Sequence, residues 1–362
     1  MEKATVLGYI KDQPRALREV SQRKNEFVAP FVEVFKKYPI KKVLFFGSGT
    51  SYNASVIAAH YFKQIVGIDA AGHYPTVFKN YEKADWTNTL GKEEILFVGI
   101  SQSGTSRSTV EVMEHAKQNG YITLALTENL ESEITKHVDH VIHLLCGKEL
   151  TPPETRGYTV TVLTLYLWAV STAKELGVYS REQYNQAIEE VKDLTDRFEA
   201  VIEESEAWYD RNKTTIVNSD RLYVLGYGVD FGSALEGMLK IGEMLRIPTI
   251  GYEIEEYSHG PTMALDKRQT IFFIGSDEAE FERMLLFRKA FKKYTDRVHV
   301  VTYKQIDADE RDLVFQVKTN KYLAPLMFTV PFQFVAAKGA KDIGIDTSVN
   351  PFEEPLAHLP EE

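Results

Sequence analysis

Ile95-Leu96-Phe97-Val98-Gly99-Ile100-Ser101-Gln102-Ser103-Gly104-Thr105-Ser106 is the stretch whose reading decides the fold. It begins as an unbroken apolar run, as a strand buried on both faces does. It ends abruptly in hydroxyls, and an amphipathic helical pattern follows over about 107–119. A hydroxyl-rich turn between a buried strand and a helix start sets hydroxyls and free N–H groups at the positive end of a helix. That setting suits a phosphate monoester. The same residues would also serve as helix caps. Capping uses one hydroxyl, whereas this turn supplies Ser101, Ser103, Thr105 and Ser106, which favours the anion.

Working outward, Lys42–Phe46 reads as a second buried strand, running into Gly47-Ser48-Gly49-Thr50-Ser51 and a helix over 52–66. Further strands are predicted at 74–77, 121–126 and 140–144, with helical stretches between them. Such alternation predicts a parallel sheet covered on both faces. Before it, 26–38 has helical spacing, and 10–14 reads as a lead-in segment. After it come a long apolar helix over 157–176 and a charged helix over 181–211 that bridges two halves. Leu222-Tyr223-Val224-Leu225-Gly226-Tyr227-Gly228 then repeats the pattern of Leu44-Phe45-Phe46-Gly47-Ser48-Gly49. Strands follow at 248–252, 269–274, 298–301 and 314–317, then a closing helix over 323–338. The tail from Gly339 is expected to wrap the surface. The repeat predicts two like-folded domains, set at 1–200 and 201–362.

The net charge of -10 and the lack of any long Lys/Arg run argue against nucleic acid and against an anionic membrane surface as partners. A phosphorylated ligand would therefore be held by local donors rather than by a basic field. The single cysteine, Cys146, excludes an internal disulfide and a Cys-rich metal site. The first residues lack a basic-then-apolar signal pattern, and the longest apolar run, 160–170, is too short to span a bilayer. A cytoplasmic protein is expected.

Gly47-Ser48-Gly49-Thr50-Ser51-Tyr52 begins like a dinucleotide fingerprint but has Tyr at the sixth position. The Ser101 turn lacks the Gly-Lys-Ser/Thr of a nucleotide-binding P-loop. What remains is two strand-to-helix turns side by side at the carboxyl edge of a sheet, where ligands bind in such folds. Ser51 and the Ser101–Ser106 turn would grip one phosphate together. In the second half a helix is predicted over 230–245. It places Glu236, Lys240 and Glu243 at i, i+4 and i+7 on one face, a spacing that an exposed Glu–Lys ladder would share. His259 lies in a Gly-Pro turn outside any regular element, where binding residues concentrate, and a hydrogen-bonded loop histidine is an equal reading. A carboxylate and an imidazole near a phosphate cradle are the parts needed for sugar enolisation.

In this order the motifs resemble those of the double sugar isomerase (SIS) domain family. They are Phe46-Gly-Ser-Gly-Thr-Ser51-Tyr, Ile100-Ser-Gln-Ser-Gly104, Ala234-Leu-Glu236-Gly-Met-Leu-Lys240-Ile-Gly-Glu243 and Ser258-His259-Gly-Pro261. The chain is similar to the isomerase half of glucosamine-6-phosphate synthase and to the fructosamine-6-phosphate deglycases. The resemblance implies two flavodoxin-like three-layer αβα domains with parallel sheets, in a homodimer with shared active sites. It implies that Ser51, Ser101, Gln102, Ser103 and Ser106 bind phosphate, with Gly49, Thr50 and Thr105 in the same turns. Glu149, Glu236 and Lys240 match positions near the sugar. Glu243 is implied as the base at C1/C2, and His259 as an acid lent by the neighbouring subunit. No metal or organic cofactor is implied.

Three departures qualify the resemblance. In the pocket loop over 147–159, Pro152, Pro153 and Glu154 replace small residues. No glutaminase precedes the first strand and no N-terminal Cys nucleophile is present, so ammonia from glutamine is not expected. Where the synthase carries a Schiff-base Lys, the tail reads Leu356-Ala357-His358, and an imidazole cannot form that adduct. His358 is then a catalytic or binding group of another kind, or the substrate is already an amine adduct. The expected activity is a deglycase that cleaves a 6-phosphorylated sugar-amine to hexose 6-phosphate and amine. An aldose–ketose isomerase or synthase-like aminotransferase of amino-sugar phosphates is the alternative. A non-enzymatic phosphosugar sensor comes second, disfavoured by the carboxylate–histidine pair and the lack of a DNA-binding segment.

Overall fold

Helices α1 (Val6–Gln22) and α2 (Asn25–Lys37) lead into β1 (Lys42–Phe46), α3 (Thr50–Tyr61), β2 (Asp69–His73), α4 (Pro75–Tyr81), β3 (Ile95–Ile100), α5 (Arg107–Gln118), β4 (Ile122–Thr127) and β5 (His140–His143). These are the elements of the first half in a computed structural model that describes residues 5–352. Three helices follow, α6 (Arg156–Glu175), α7 (Arg181–Asp196) and α8 (Phe198–Val217). The second half comprises β6 (Arg221–Gly226), α9 (Val229–Met244), β7 (Thr249–Glu253), α10 (Ile254–Ser258), β8 (Gln269–Gly275), α11 (Phe281–Phe291), β9 (Val298–Thr302), β10 (Leu313–Val314) and α12 (Ala324–Asp342).

All strand pairings are parallel. The first sheet runs β2-β1-β3-β4-β5 and the second β7-β6-β8-β9-β10, the same doubly wound order twice. In each, the strand order reverses next to the half's first strand, between β1 and β3 and between β6 and β8. Alternation along the strands feeds two cores. Val43 and Phe45 of β1 join one, while Leu44 and Phe46 join the other. In β8, Phe272 and Ile274 face the first core, while Ile271 and Phe273 face a third. The first core is continuous across both halves, so α3, α6, α9 and α12 form a helical layer shared by the two sheets. Contact between α3 and α9 is tight because Gly232 has no side chain; a Cβ there would lie 2.3 Å from Ile57. This contact brings a helix of the second half to the carboxyl edge of the first sheet.

Five boundaries differ from expectation. The strand expected at 74–77 is the start of α4, with Pro75 in its first turn, where a missing N–H costs nothing. The edge strand is Asp69–His73, which lacks an apolar run because little of it is buried. The charged helix over 181–211 is two helices, broken at Arg197. The strand at 314–317 shrinks to Leu313–Val314. The closing helix continues past Gly339 to Asp342, since Gly339 packs against Leu245. The lead-in 10–14 lies inside α1, with Pro14 within the helix. Among the described residues no helix is long and apolar enough to cross a membrane.

Candidate active site

The site begins with two glycines. A Cβ on Gly47 would sit 2.6 Å from the Ser51 backbone, and Gly49 adopts φ +57°, ψ -127°. Only glycine tolerates both the approach and that backbone, and together they turn β1 straight into α3. The second half repeats the device. A Cβ on Gly226 would lie 2.6 Å from the Asp230 carbonyl, and Gly228 adopts φ +58°, ψ -126°.

The two halves then diverge. In the first, neither α3 nor α5 has a side-chain cap, so two positive helix ends are left for a ligand. Ser48 Oγ and Ser108 Oγ, 3.3 Å apart, tie these ends together. In the second half the chain fills the equivalent place itself. Glu278 accepts from the Val229 N–H at 3.3 Å, at the start of α9. Asp230 accepts from the Ser276 N–H and hydroxyl, both at 2.8 Å. Two internal carboxylates occupy that turn, so among the described residues the pair of turns left open is that of the first half.

A cleft of about 230 Å³ opens at that pair of turns. Gly49, Thr50, Ser51, Gln102, Ser103 and Ser106 line one side, and Lys240 and Glu243 the other. Ser48, Pro152, Glu154 and Leu239 complete the wall, and none of these four was singled out as a site residue from the sequence. The other expected residues stand elsewhere. Ser101 is 2% exposed; its hydroxyl donates to Ser106 at 3.2 Å and accepts from the Gly104 N–H at 3.1 Å, so it braces the turn. Thr105 is exposed at the rim, 3.0 Å from the Ser103 hydroxyl. Glu149 accepts from the N–H groups of Gly157 at 2.7 Å and Thr155 at 3.2 Å, and thereby caps α6 and fixes the loop that carries Glu154. His259 ends α10 exposed and outside the cleft of its own chain. His358 lies outside the described residues.

The spacing on α9 does place its three charged groups on one face, but that face is buried. Lys240 is 2% exposed and Glu236 fully buried. The Lys240 Nζ lies 2.7 Å from Glu243 and 3.6 Å from Glu236. Glu236 is held from α3, accepting from Asn53 at 2.8 Å and Thr50 at 3.2 Å. Burial works against the Lys240 ammonium, but the Glu236, Glu243 and Glu154 carboxylates outweigh it, and its pKa stands above the ordinary lysine value. Burial raises the Glu236 carboxyl, opposed by Lys240 and Asn53. Burial also pushes Glu154 up to about 7, with Lys240 opposing and Glu149, Glu236 and Glu243 adding to the rise. Glu243 is the member at the cleft surface, its side chain one-third exposed. A carboxylate oriented by a buried ammonium, across a small cleft from an anion cradle, is equipped to move a proton on a phosphorylated ligand.

Comparison with known proteins identifies the family and the fold. The SIS domain family matches residues 38–171 and 215–338. The glutamine–fructose-6-phosphate aminotransferase [isomerizing] of Caldanaerobacter subterraneus subsp. tengcongensis is 25% identical over 346 residues, 93% of this chain and 56% of that protein. The chain thus spans about half the length of the curated relatives it matches. A candidate phosphosugar isomerase from Clostridium difficile 630 superposes with a TM-score of 0.86 at 30% identity, over 97% of each chain. The C-terminal domain of glucosamine-fructose-6-phosphate aminotransferase from Francisella tularensis shares the fold, with a TM-score of 0.82 at 20% identity over 94% of this chain and 96% of its own. The family match covers both halves, each with its own five-stranded parallel sheet, and the chain belongs to the SIS domain family.

Proposed function

We propose that the protein is a phosphosugar-processing enzyme that cleaves a 6-phosphorylated sugar-amine, of the fructosamine or glucosylamine type, to hexose 6-phosphate and free amine. The observation that carries this reading is one cleft with two uncapped helix ends on one side and the Lys240–Glu243 pair on the other. The hydroxyls and N–H groups of the Ser48–Ser51 and Gln102–Ser106 turns hold the phosphate. Glu243 then takes a proton from C1 of a ketose amine as the C2 carbonyl oxygen gains one, giving the enaminol, and returns a proton to C2 while the nitrogen gives up its N–H proton, so the C2=O double bond is replaced by C1=N. Water adds at C1, and the C–N bond breaks as the amine leaves protonated. His259 protonates that amine from the second subunit of a dimer. What supports a second copy is that His259 is exposed and away from its own cleft, with Met263, 91% exposed, four residues on. His358 serves as a polar contact in place of the synthase Lys.

The same Glu243 chemistry without C–N cleavage would be an aldose–ketose isomerisation, and the aminotransferase relatives keep that alternative in view. The two are separated by incubating the protein with fructosamine 6-phosphate adducts of amino acids in deuterated water. Release of amine together with hexose 6-phosphate carrying deuterium at C1 or C2 is expected. Isomerised substrate with the amine still attached would replace the deglycase by the isomerase.

A further inference from the structure

Among the described residues Lys240 is the one ammonium lining the cleft, and three carboxylates, Glu154, Glu236 and Glu243, act on it. Two are accounted for. Glu236 is tied to Asn53 and Thr50, and Glu243 is paired with Lys240 at 2.7 Å. Glu154 is not: it makes no hydrogen bond or ion pair among the described residues, yet it is half-buried in the cleft wall. Its position is fixed. Pro152 and Pro153 stiffen the approach, and the Glu149 carboxylate clamps the N–H groups of Thr155 and Gly157 just beyond.

A carboxylate in a small cleft with no partner from the protein is free to pair with a cationic group of a ligand. The phosphate end offers only neutral hydroxyls, an amide and backbone N–H groups, so it cannot use a negative charge at Glu154. The surplus carboxylate makes sense against a ligand cation. We propose that Glu154 reads the amine of the substrate: it accepts a charged hydrogen bond from a substrate ammonium and selects amine-bearing sugar phosphates over neutral ones. This inference rests on the phosphosugar reading above and adds the group that sets its specificity. Burial pushes the Glu154 carboxyl up to about 7, and a ligand ammonium beside it would favour the ionised form.

The test is calorimetric titration of wild type, Glu154→Gln and Glu154→Asp with three probes: inorganic phosphate, glucose 6-phosphate and glucosamine 6-phosphate. Wild type should prefer glucosamine 6-phosphate to glucose 6-phosphate. Glu154→Gln should cut that preference by about tenfold or more, the scale of one charge-assisted hydrogen bond, with phosphate affinity unchanged. Glu154→Asp should keep part of the preference. A preference that survives in Glu154→Gln overturns the inference. So does an equal loss for all three probes with a lowered melting temperature, which would make Glu154 a support of the loop. Wild type that binds both hexose phosphates equally removes the inference and leaves the phosphosugar reading standing. Wild type that binds no phosphate compound removes the phosphosugar reading itself.

Discussion

Replacing Lys240 by Met isolates what the buried ammonium does. Its Nζ lies 3.6 Å from Glu236 and 2.7 Å from Glu243, and the two carboxylates will respond differently to its loss. Glu243 is one-third exposed and can be rehydrated. Glu236 is fully buried and would keep only the donors Asn53 and Thr50. Breaking a buried ion pair from one side costs about 3 to 5 kcal/mol, because the remaining charge is uncompensated. That is the loss expected for Lys240→Met near neutral pH. The pH dependence has a definite sign. Burial already holds the Glu236 carboxyl above its ordinary value against the pull of Lys240, so removing Lys240 raises it further. A carboxyl whose folded pKa exceeds its unfolded one binds its proton more tightly when folded, so it weakens folding as pH rises through that interval. The variant should therefore lose most at pH 8 and least at pH 5. Adding Glu236→Gln removes the stranded charge while keeping an acceptor for Asn53, and should restore most of the loss. Denaturant melts of wild type, the single variant and the double variant at both pH values decide it. A double variant no more stable than Lys240→Met would refute the claim that the cost resides in Glu236.

Other consequences are as specific. Ser103→Ala should weaken inorganic phosphate binding by about 1 to 3 kcal/mol, whereas Ser101→Ala should lower the melting temperature first, because Ser101 braces the Gly104 N–H; equal phosphate losses without any stability change would put both hydroxyls on the ligand. Burial lifts Asp230 from its ordinary 3.8 to about 7, so it weakens folding as pH rises across that interval. Asp230→Asn should gain stability relative to wild type between pH 5 and pH 8, and melting curves that stay parallel would contradict this. Mixed Glu243→Gln and His259→Asn subunits should regain activity on exchange, since some hybrids hold one intact site; no recovery, with exchange demonstrated, would place both groups within one chain.

The fold was largely legible because strands buried on both faces are unbroken apolar runs. Ile95–Ile100 and Lys42–Phe46 could be read that way, and the Gly-x-Gly repeat after β1 and β6 reflects one shared backbone turn. Two of the errors fell at the edge of the first sheet. Asp-Ala-Ala-Gly-His at the sheet edge has no periodic signature, and Pro75 was read as part of a strand when it opens a helix. The helical face of Glu236, Lys240 and Glu243 followed from spacing alone. Its burial did not, because the residues that enclose it, such as Asn53, lie far off in sequence on α3. Ser101 and Glu149 carry the residue types of a binding site, yet they spend them on internal N–H groups. Glu154 was visible only as a departure from small residues, and its place in the cleft depends on how Glu149 clamps the loop.

The central claim is that Glu243 moves a proton on a phosphorylated sugar-amine. Glu243→Gln keeps the size of the side chain and its reach to Lys240 while removing the base. Its kcat on a fructosamine 6-phosphate adduct, measured beside wild type by release of hexose 6-phosphate, is the direct test. A fall of about a hundredfold or more in kcat, with KM little changed, is the predicted result. Turnover at the wild-type rate would contradict the account and leave Glu243 as the outer partner of the Lys240 ion pair.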